Sequence, residues 1–166
     1  MLELIARTGE EGTVDDTVTL PYELRQRSRQ RVRLDSGREA AIVLPPGTRL
    51  GDGDRLCAAD GITVRVCAAP EAVTTAHAGD PLCLARASYH LGNRHVPLQV
   101  GPGWVRYQRD HVLDDMVRGL GLRVVHESAR FEPERGAYHG HAHPPHHDAA
   151  DEPSGAPHAA PHGHRH

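Results

Sequence analysis

Imidazole is the side chain with which this chain can do most chemistry. Of its fourteen histidines, nine fall between positions 139 and 166: His139, His141, His143, His146, His147, His158, His162, His164 and His166. The spacers between them are mainly Gly, Ala, Pro and Asp, which build no core. Neutral imidazole is the commonest protein ligand for divalent transition metals, and a His-rich tract on such a backbone reads as a metal-binding tail. The H-x-H pairs His139/His141, His141/His143, His162/His164 and His164/His166 would point to one side of an extended chain and share an ion. A purification tag is normally an unbroken run, whereas this tract is interleaved and irregular. A merely solvated tail does not explain the choice of His over Ser, Glu or Lys. Protons and metal compete for the same nitrogens, so metal retention should weaken below about pH 6.

The residues that must position such chemistry are limited. The chain has 166 residues, enough for one or two small domains. Without the tail, each of two domains would have a modest core. With one Trp and one Phe, that core must rest on Leu, Val, Ile and Ala. All nineteen basic residues are Arg, and the formal charge is -3. No apolar run is long enough to span a membrane, and Met1-Leu2-Glu3-Leu4-Ile5 lacks the basic segment and long apolar stretch of a signal peptide. Cys57, Cys67 and Cys83 form no CxxC and are odd in number. They are expected to be buried free thiols in a reducing cytoplasm.

Periodicity divides the chain. Over 1–72, Thr17–Leu20, Gln30–Leu34, Glu39–Leu44, Arg55–Ala58 and Thr63–Cys67 read as strands between Gly- and Pro-rich turns. No good helix interrupts them, which predicts a small sandwich or barrel. From 73 to 135 the pattern changes. A strand at Glu71–Ala76 is followed by a helix that Asp80 caps and Pro81 opens, running to about Gly92. Leu82, Ala85, Tyr89 and Cys83 are its expected inner residues. A hairpin turns at Gly101-Pro102-Gly103. Asp110 caps a second helix with the stripe Val112, Leu113, Met116, Val117 and Leu120. Leu122–His126 closes the order β-α-β-β-α-β, the split βαβ or ferredoxin-like arrangement. The predicted class is therefore α+β: a small β domain, a ferredoxin-like domain and, from 136 to 166, a disordered His-rich tail.

Five histidines belong to the folded part. His77 is expected in an exposed turn, His90 near a helix C-terminus and His126 turned outward from a strand. His111 opens the second helix as a local surface residue. His95 follows the helix stop Gly92-Asn93-Arg94 and precedes Val96-Pro97, so it is held at an exposed corner. One ligand does not hold a metal tightly, but two copies would converge if a two-fold axis passed near His95.

Arg86-Ala87-Ser88-Tyr89-His90-Leu91-Gly92-Asn93-Arg94-His95-Val96-Pro97-Leu98-Gln99 resembles the signature segment of UreE, the family of nickel chaperones of urease maturation. Asp110-His111-Val112-Leu113-Asp114-Asp115-Met116 is similar to its second helix, and Phe131-Glu132-Pro133-Glu134-Arg135-Gly136-Ala137-Tyr138 to its closing segment. The resemblance covers about 80–166 closely. It is looser toward the N-terminus, at Arg25-Gln26-Arg27-Ser28-Arg29 and Asp52-Gly53-Asp54. It implies a partner- or peptide-binding β domain, a ferredoxin-like metal-binding domain and a homodimer in which His95 binds nickel from both protomers. It also implies that tail histidines add ligands, and that the partners are apo-urease and the urease accessory GTPase complex. Some members carry H-x-H at the second helix. Here Arg109 stands at the first position, so His111 is not assigned as a ligand.

The leading expectation is thus a cytoplasmic nickel metallochaperone that catalyses no bond chemistry. Zn²⁺ and Cu²⁺ also suit imidazole, and affinity alone would not select nickel. The alternative is metal storage, with the tail as the function and the folded part as scaffold. No Gly-rich phosphate loop, G-x-S-x-G, H-E-x-x-H or paired carboxylate argues for an enzyme. Arg25, Arg27, Arg29, Arg31 and Arg33 would share one strand face as a basic stripe. A net charge of -3 makes the chain a poor polyanion binder, so a protein-partner surface is expected there, with neither nucleic acid nor membrane as partner.

Overall fold

The computed structural model describes residues 1–9 and 12–135. The expected tail, with His139 through His166, lies outside the described residues.

The first sheet is built from β1 (Leu2–Thr8), β2 (Asp16–Leu20), β3 (Arg29–Arg33), β4 (Glu39–Val43), β5 (Arg55–Ala58) and β6 (Thr63–Ala68). Its strand order is β2-β6-β5-β1-β4-β3. Two pairs, β1/β4 and β2/β6, are parallel, so the sheet is mixed. It is a single sheet, not a sandwich. The backbone N–H of Asp35, just past edge strand β3, donates to the carbonyl of Thr17 on the other edge strand at 2.8 Å. The Asp35 carboxylate also accepts from the Thr19 amide and hydroxyl, so the sheet is drawn together at one end. Inward-facing Leu4, Val18, Ile42, Leu56, Val64 and Val66 are fully buried and form its core.

Two elements differ from the sequence expectation. β1 was not anticipated: its alternation Leu2, Leu4 is short, yet it runs through the middle of the sheet. A one-turn helix, α1 (Tyr22–Arg25), interrupts the expected all-strand segment after Pro21. It removes Arg25 from the basic stripe: Arg25 is buried, and only Arg29, Arg31 and Arg33 lie outward on β3.

The second sheet contains β7 (Pro70–His77), β8 (Gln99–Gly101), β9 (Trp104–Gln108) and β10 (Arg123–Arg130), in the order β10-β7-β9-β8. All its pairings are antiparallel. Helices α2 (Pro81–Gly92) and α3 (His111–Gly119) complete the sequence order β-α-β-β-α-β. β7 begins at Pro70, inside the span assigned above to the first domain. Both expected N-caps form: the Asp80 carboxylate accepts from the Cys83 amide, and that of Asp110 from the Val112 and Leu113 amides. Gly121, at φ 92°, supplies the left-handed residue after α3.

The inner face of α2 differs in phase from the expected one. Ala87 and Leu91 are buried, with Cys83 and Leu84 packed beside them. Leu82 and Tyr89 are exposed instead. Small Ala87 lets the helix approach the sheet, while bulky Tyr89 is directed outward. In α3, Leu113 and Val117 are buried and Met116 and Leu120 pack alongside, but Val112 is exposed. The three cysteines are free, as expected, although half-buried rather than buried. Among the described residues no helix is long and apolar enough to cross a membrane.

Candidate metal site

His95 occupies the corner the sequence assigned to it. Helix α2 ends at Gly92 with Asn93 as its C-cap, and the turn continues through bonds from Arg94 N–H to Leu91 carbonyl and from His95 N–H to Gly92 carbonyl. His95 has φ 56°, the only positive value at a non-glycine among the described residues. The left-handed region is sparsely populated by residues bearing a Cβ, although His enters it more readily than most. Such a conformation persists where the flanking structure fixes it. Here the helix end and Pro97 do so, and the imidazole is left exposed.

The segment that leads to the histidine tract is anchored next to this corner. The Glu134 amide donates to the Leu98 carbonyl at 2.9 Å, and the Glu132 amide to the Gln99 side-chain oxygen at 3.1 Å. Residues 132–134 therefore run beside 98–99, a short span from His95. Arg25 fixes the same segment from the first sheet. Its guanidinium donates to the Leu20, Leu50 and Phe131 carbonyls and pairs with Glu132. The Phe131 ring packs edge-on to Tyr22, with centroids 5.3 Å apart. The expected basic stripe put Arg25 on an outward strand face offered to a protein partner. Its acceptors lie up to 107 residues away, and no local signal marks them.

The other histidines are dispersed. His90 and His111 are exposed, and His77 ends β7 half-buried. His126 was expected to turn outward from a strand as an unremarkable residue, and it is exposed on β10. Its Nε2 lies 2.6 Å from Oδ2 of Asp114, while Tyr107 donates its hydroxyl to Oδ1 of the same carboxylate at 2.9 Å. Thr74 sits between them in the register, opposite both His126 and Tyr107. Its hydroxyl lies near Asp114 without meeting hydrogen-bond geometry, so His126 and Tyr107 hold the carboxylate. Among the described residues no three His, Cys, Asp or Glu side chains converge on a possible metal position. Among the described residues His95 thus has no second candidate ligand beside it.

The Asp114 group is a structural device of the second sheet. Burial pushes its carboxyl up, but the His126 and Tyr107 bonds and the His126 charge outweigh this and hold it below the usual carboxylate range. Burial and Asp114 together push the Tyr107 phenol up. A depressed native value means that the unfolded state takes up the proton first. The stabilisation is therefore present above the unfolded value near pH 4 and is lost as pH falls through the native one. Asp16, bonded by Ser36, and Glu127, bonded by Thr75 and Arg106, are depressed too and steepen the same acid limb. Asp114→Asn should cost about 1–3 kcal/mol at neutral pH and flatten the loss of stability below about pH 4. Chemical denaturation at a series of pH values measures both effects, and an unchanged acid limb would remove Asp114 from this role.

One mixed sheet and one antiparallel sheet with two helices define a two-domain α+β protein. The chain matches the model for the UreE urease accessory protein N-terminal domain over residues 2–69 and that for the C-terminal domain over 71–166. It is 59% identical over 140 residues to the urease accessory protein UreE of Alkalilimnicola ehrlichii, covering 84% of this chain and 86% of that one. Identity to the protein of the same name from Pseudomonas putida strain W619 is 57% over 144 residues, covering 86% and 89% of the two chains. With that from Citrobacter koseri it is 49% over 152 residues, covering 86% and 100%. The chain belongs to the UreE family of urease accessory proteins.

Proposed function

We propose that this protein is a nickel metallochaperone that works in the cytoplasm as a homodimer and delivers Ni²⁺ to apo-urease through the urease accessory GTPase complex. The observation that carries the reading is the exposed, conformationally fixed His95 beside the anchored root of the histidine tract. His95 lies three positions before Leu98, and His139 five positions after Glu134. Five extended residues reach about 17 Å and three about 10 Å, so the first tail imidazoles are within range of His95.

Coordination arithmetic supports a shared site. One His95 is one ligand, and Ni²⁺ commonly takes about four to six. A two-fold pair supplies two, and His139 or His141 can complete the shell. The remaining histidines, His143, His146, His147, His158, His162, His164 and His166, add capacity. Exposed imidazoles scavenge an ion yet leave it open to ligand exchange, unlike a closed thiolate cage. Zn²⁺ and Cu²⁺ fit the same donors, so availability and partner recognition select nickel. The protein carries the ion as cargo and makes or breaks no covalent bond. Storage alone would explain the tract but not the fixed His95 corner.

Ending the chain at Tyr138 should remove most bound metal while leaving the fold intact. Equilibrium dialysis with Ni²⁺ beside circular dichroism tests this. A shortened chain that binds as many ions as the full one would contradict the reservoir role.

A further inference from the structure

The outer edge of β3 carries three arginines and, among the described residues, an unpaired backbone edge on the same residues. β3 is the last strand of its sheet. Its ladder with β4 is bracketed by two bonds, from the Leu34 amide to the Arg38 carbonyl and from the Leu44 amide to the Ser28 carbonyl. Residues 28 and 34 thus turn their peptide groups toward β4, and residues 30 and 32 follow by the two-residue alternation of an antiparallel pair. Arg29, Arg31 and Arg33 turn their N–H and C=O groups the other way, where no backbone partner meets them among the described residues. The register Arg29–Val43, Arg31–Ala41 and Arg33–Glu39 agrees with this phase. The edge is closed only beyond Arg33, where the Asp35 amide donates to Thr17.

The side chains of these three residues lie on one face and are exposed. Arg33 reaches Glu39 at 3.7 Å. Arg29 and Arg31 have no ion pair among the described residues. Charges on an edge strand commonly block pairing with stray apolar strands. The same charges admit a strand of opposite sign, because discrimination is a difference between attraction and repulsion.

We propose that the β3 edge, over Arg29–Arg33, docks an extended acidic segment of a partner protein by strand addition. The occupant must offer backbone donors and acceptors in alternation and a carboxylate at every second residue, about 6.8 Å apart. A polypeptide of alternating Asp or Glu does both. A nucleic acid offers phosphates but no alternating donor ladder, and the chain's net charge of -3 disfavours it.

The probe is a fluorescently labelled peptide of alternating Glu and Thr, titrated by anisotropy into the full chain. Saturable binding is expected, and none for a Gln-Thr peptide. Arg29→Gln with Arg31→Gln should weaken it about tenfold, with thermal unfolding confirming that the variant is folded. Two N-methylated peptides separate strand addition from charge alone. Methylation at one set of alternate amides should abolish binding, and at the other set should be tolerated, since only one set faces β3. Equal binding of both methylated peptides, full binding by the double variant, or displacement of the peptide by a tighter-binding single-stranded oligonucleotide would overturn the proposal.

Discussion

Arg25→Ala is expected to destabilise the folded part by about 3–5 kcal/mol, the cost of breaking a buried charged network by removing one partner. The guanidinium is 1% exposed and serves the Leu20, Leu50 and Phe131 carbonyls as well as Glu132. Truncation takes the guanidinium donor from the Leu50 and Phe131 carbonyls, leaves the Leu20 carbonyl with the Ala69 amide alone, and removes the cation paired with Glu132. Glu132→Ala should cost less, because the guanidinium keeps its three carbonyl acceptors and the vacated carboxylate position, 35% exposed, admits water. Arg25→Lys should rescue only part, since an ammonium cannot reproduce the fork of donors. Denaturant unfolding ranks the three variants. A loss under about 1 kcal/mol for Arg25→Ala would mean that the network is not what joins the first sheet to the exit segment. If the network does hold that segment, the Glu132 and Glu134 amides should also exchange hydrogen faster in the variant, because their bonds to Gln99 and Leu98 depend on it.

The second large effect separates binding from stability at one residue. His95→Ala should change stability by no more than about 0.5 kcal/mol, since the ring is exposed and both residues carry the same Cβ. His95→Gly should be more stable by up to about 1 kcal/mol, because glycine adopts φ 56° without the Cβ clash. On the proposed function both variants lose the tightest nickel site and impair urease activation. A residue that served only the fold would give the opposite ranking.

What could be read from the sequence was local. Asp80 with Pro81, and Asp110, marked both helix starts because a cap bonds to amides two or three residues away. The helix stop before His95 and the proline after it placed that corner correctly. Its left-handed backbone was not readable, because nothing in the residue type requires it. The face of α2 was misread in phase: Leu82, Ala85 and Tyr89 were set inward, whereas the sheet meets Ala87 and Leu91. β1 escaped because two alternating leucines at a terminus are a weak pattern. Its role as a central strand depends on β4 and β5, more than thirty residues away. Arg25 was misplaced, and the Asp114 partner of the exposed His126 went unseen, for the same reason: such partners are set by tertiary structure. His126 is twelve residues from Asp114, and Arg25 is 107 from Glu132.

The most direct test of the shared nickel site is native mass spectrometry of the protein ending at Tyr138, titrated with Ni²⁺. Without the histidine tract, His95 is left as the proposed ligand, so the first ion should require two chains. The expected species is one tight nickel per dimer, with the dimer favoured as metal is added, because an ion bound only by the assembled form promotes assembly. His95→Ala should remove that ion and the shift in association together. A monomer carrying one tight nickel per chain, or a His95→Ala dimer that retains the ion, would contradict the account.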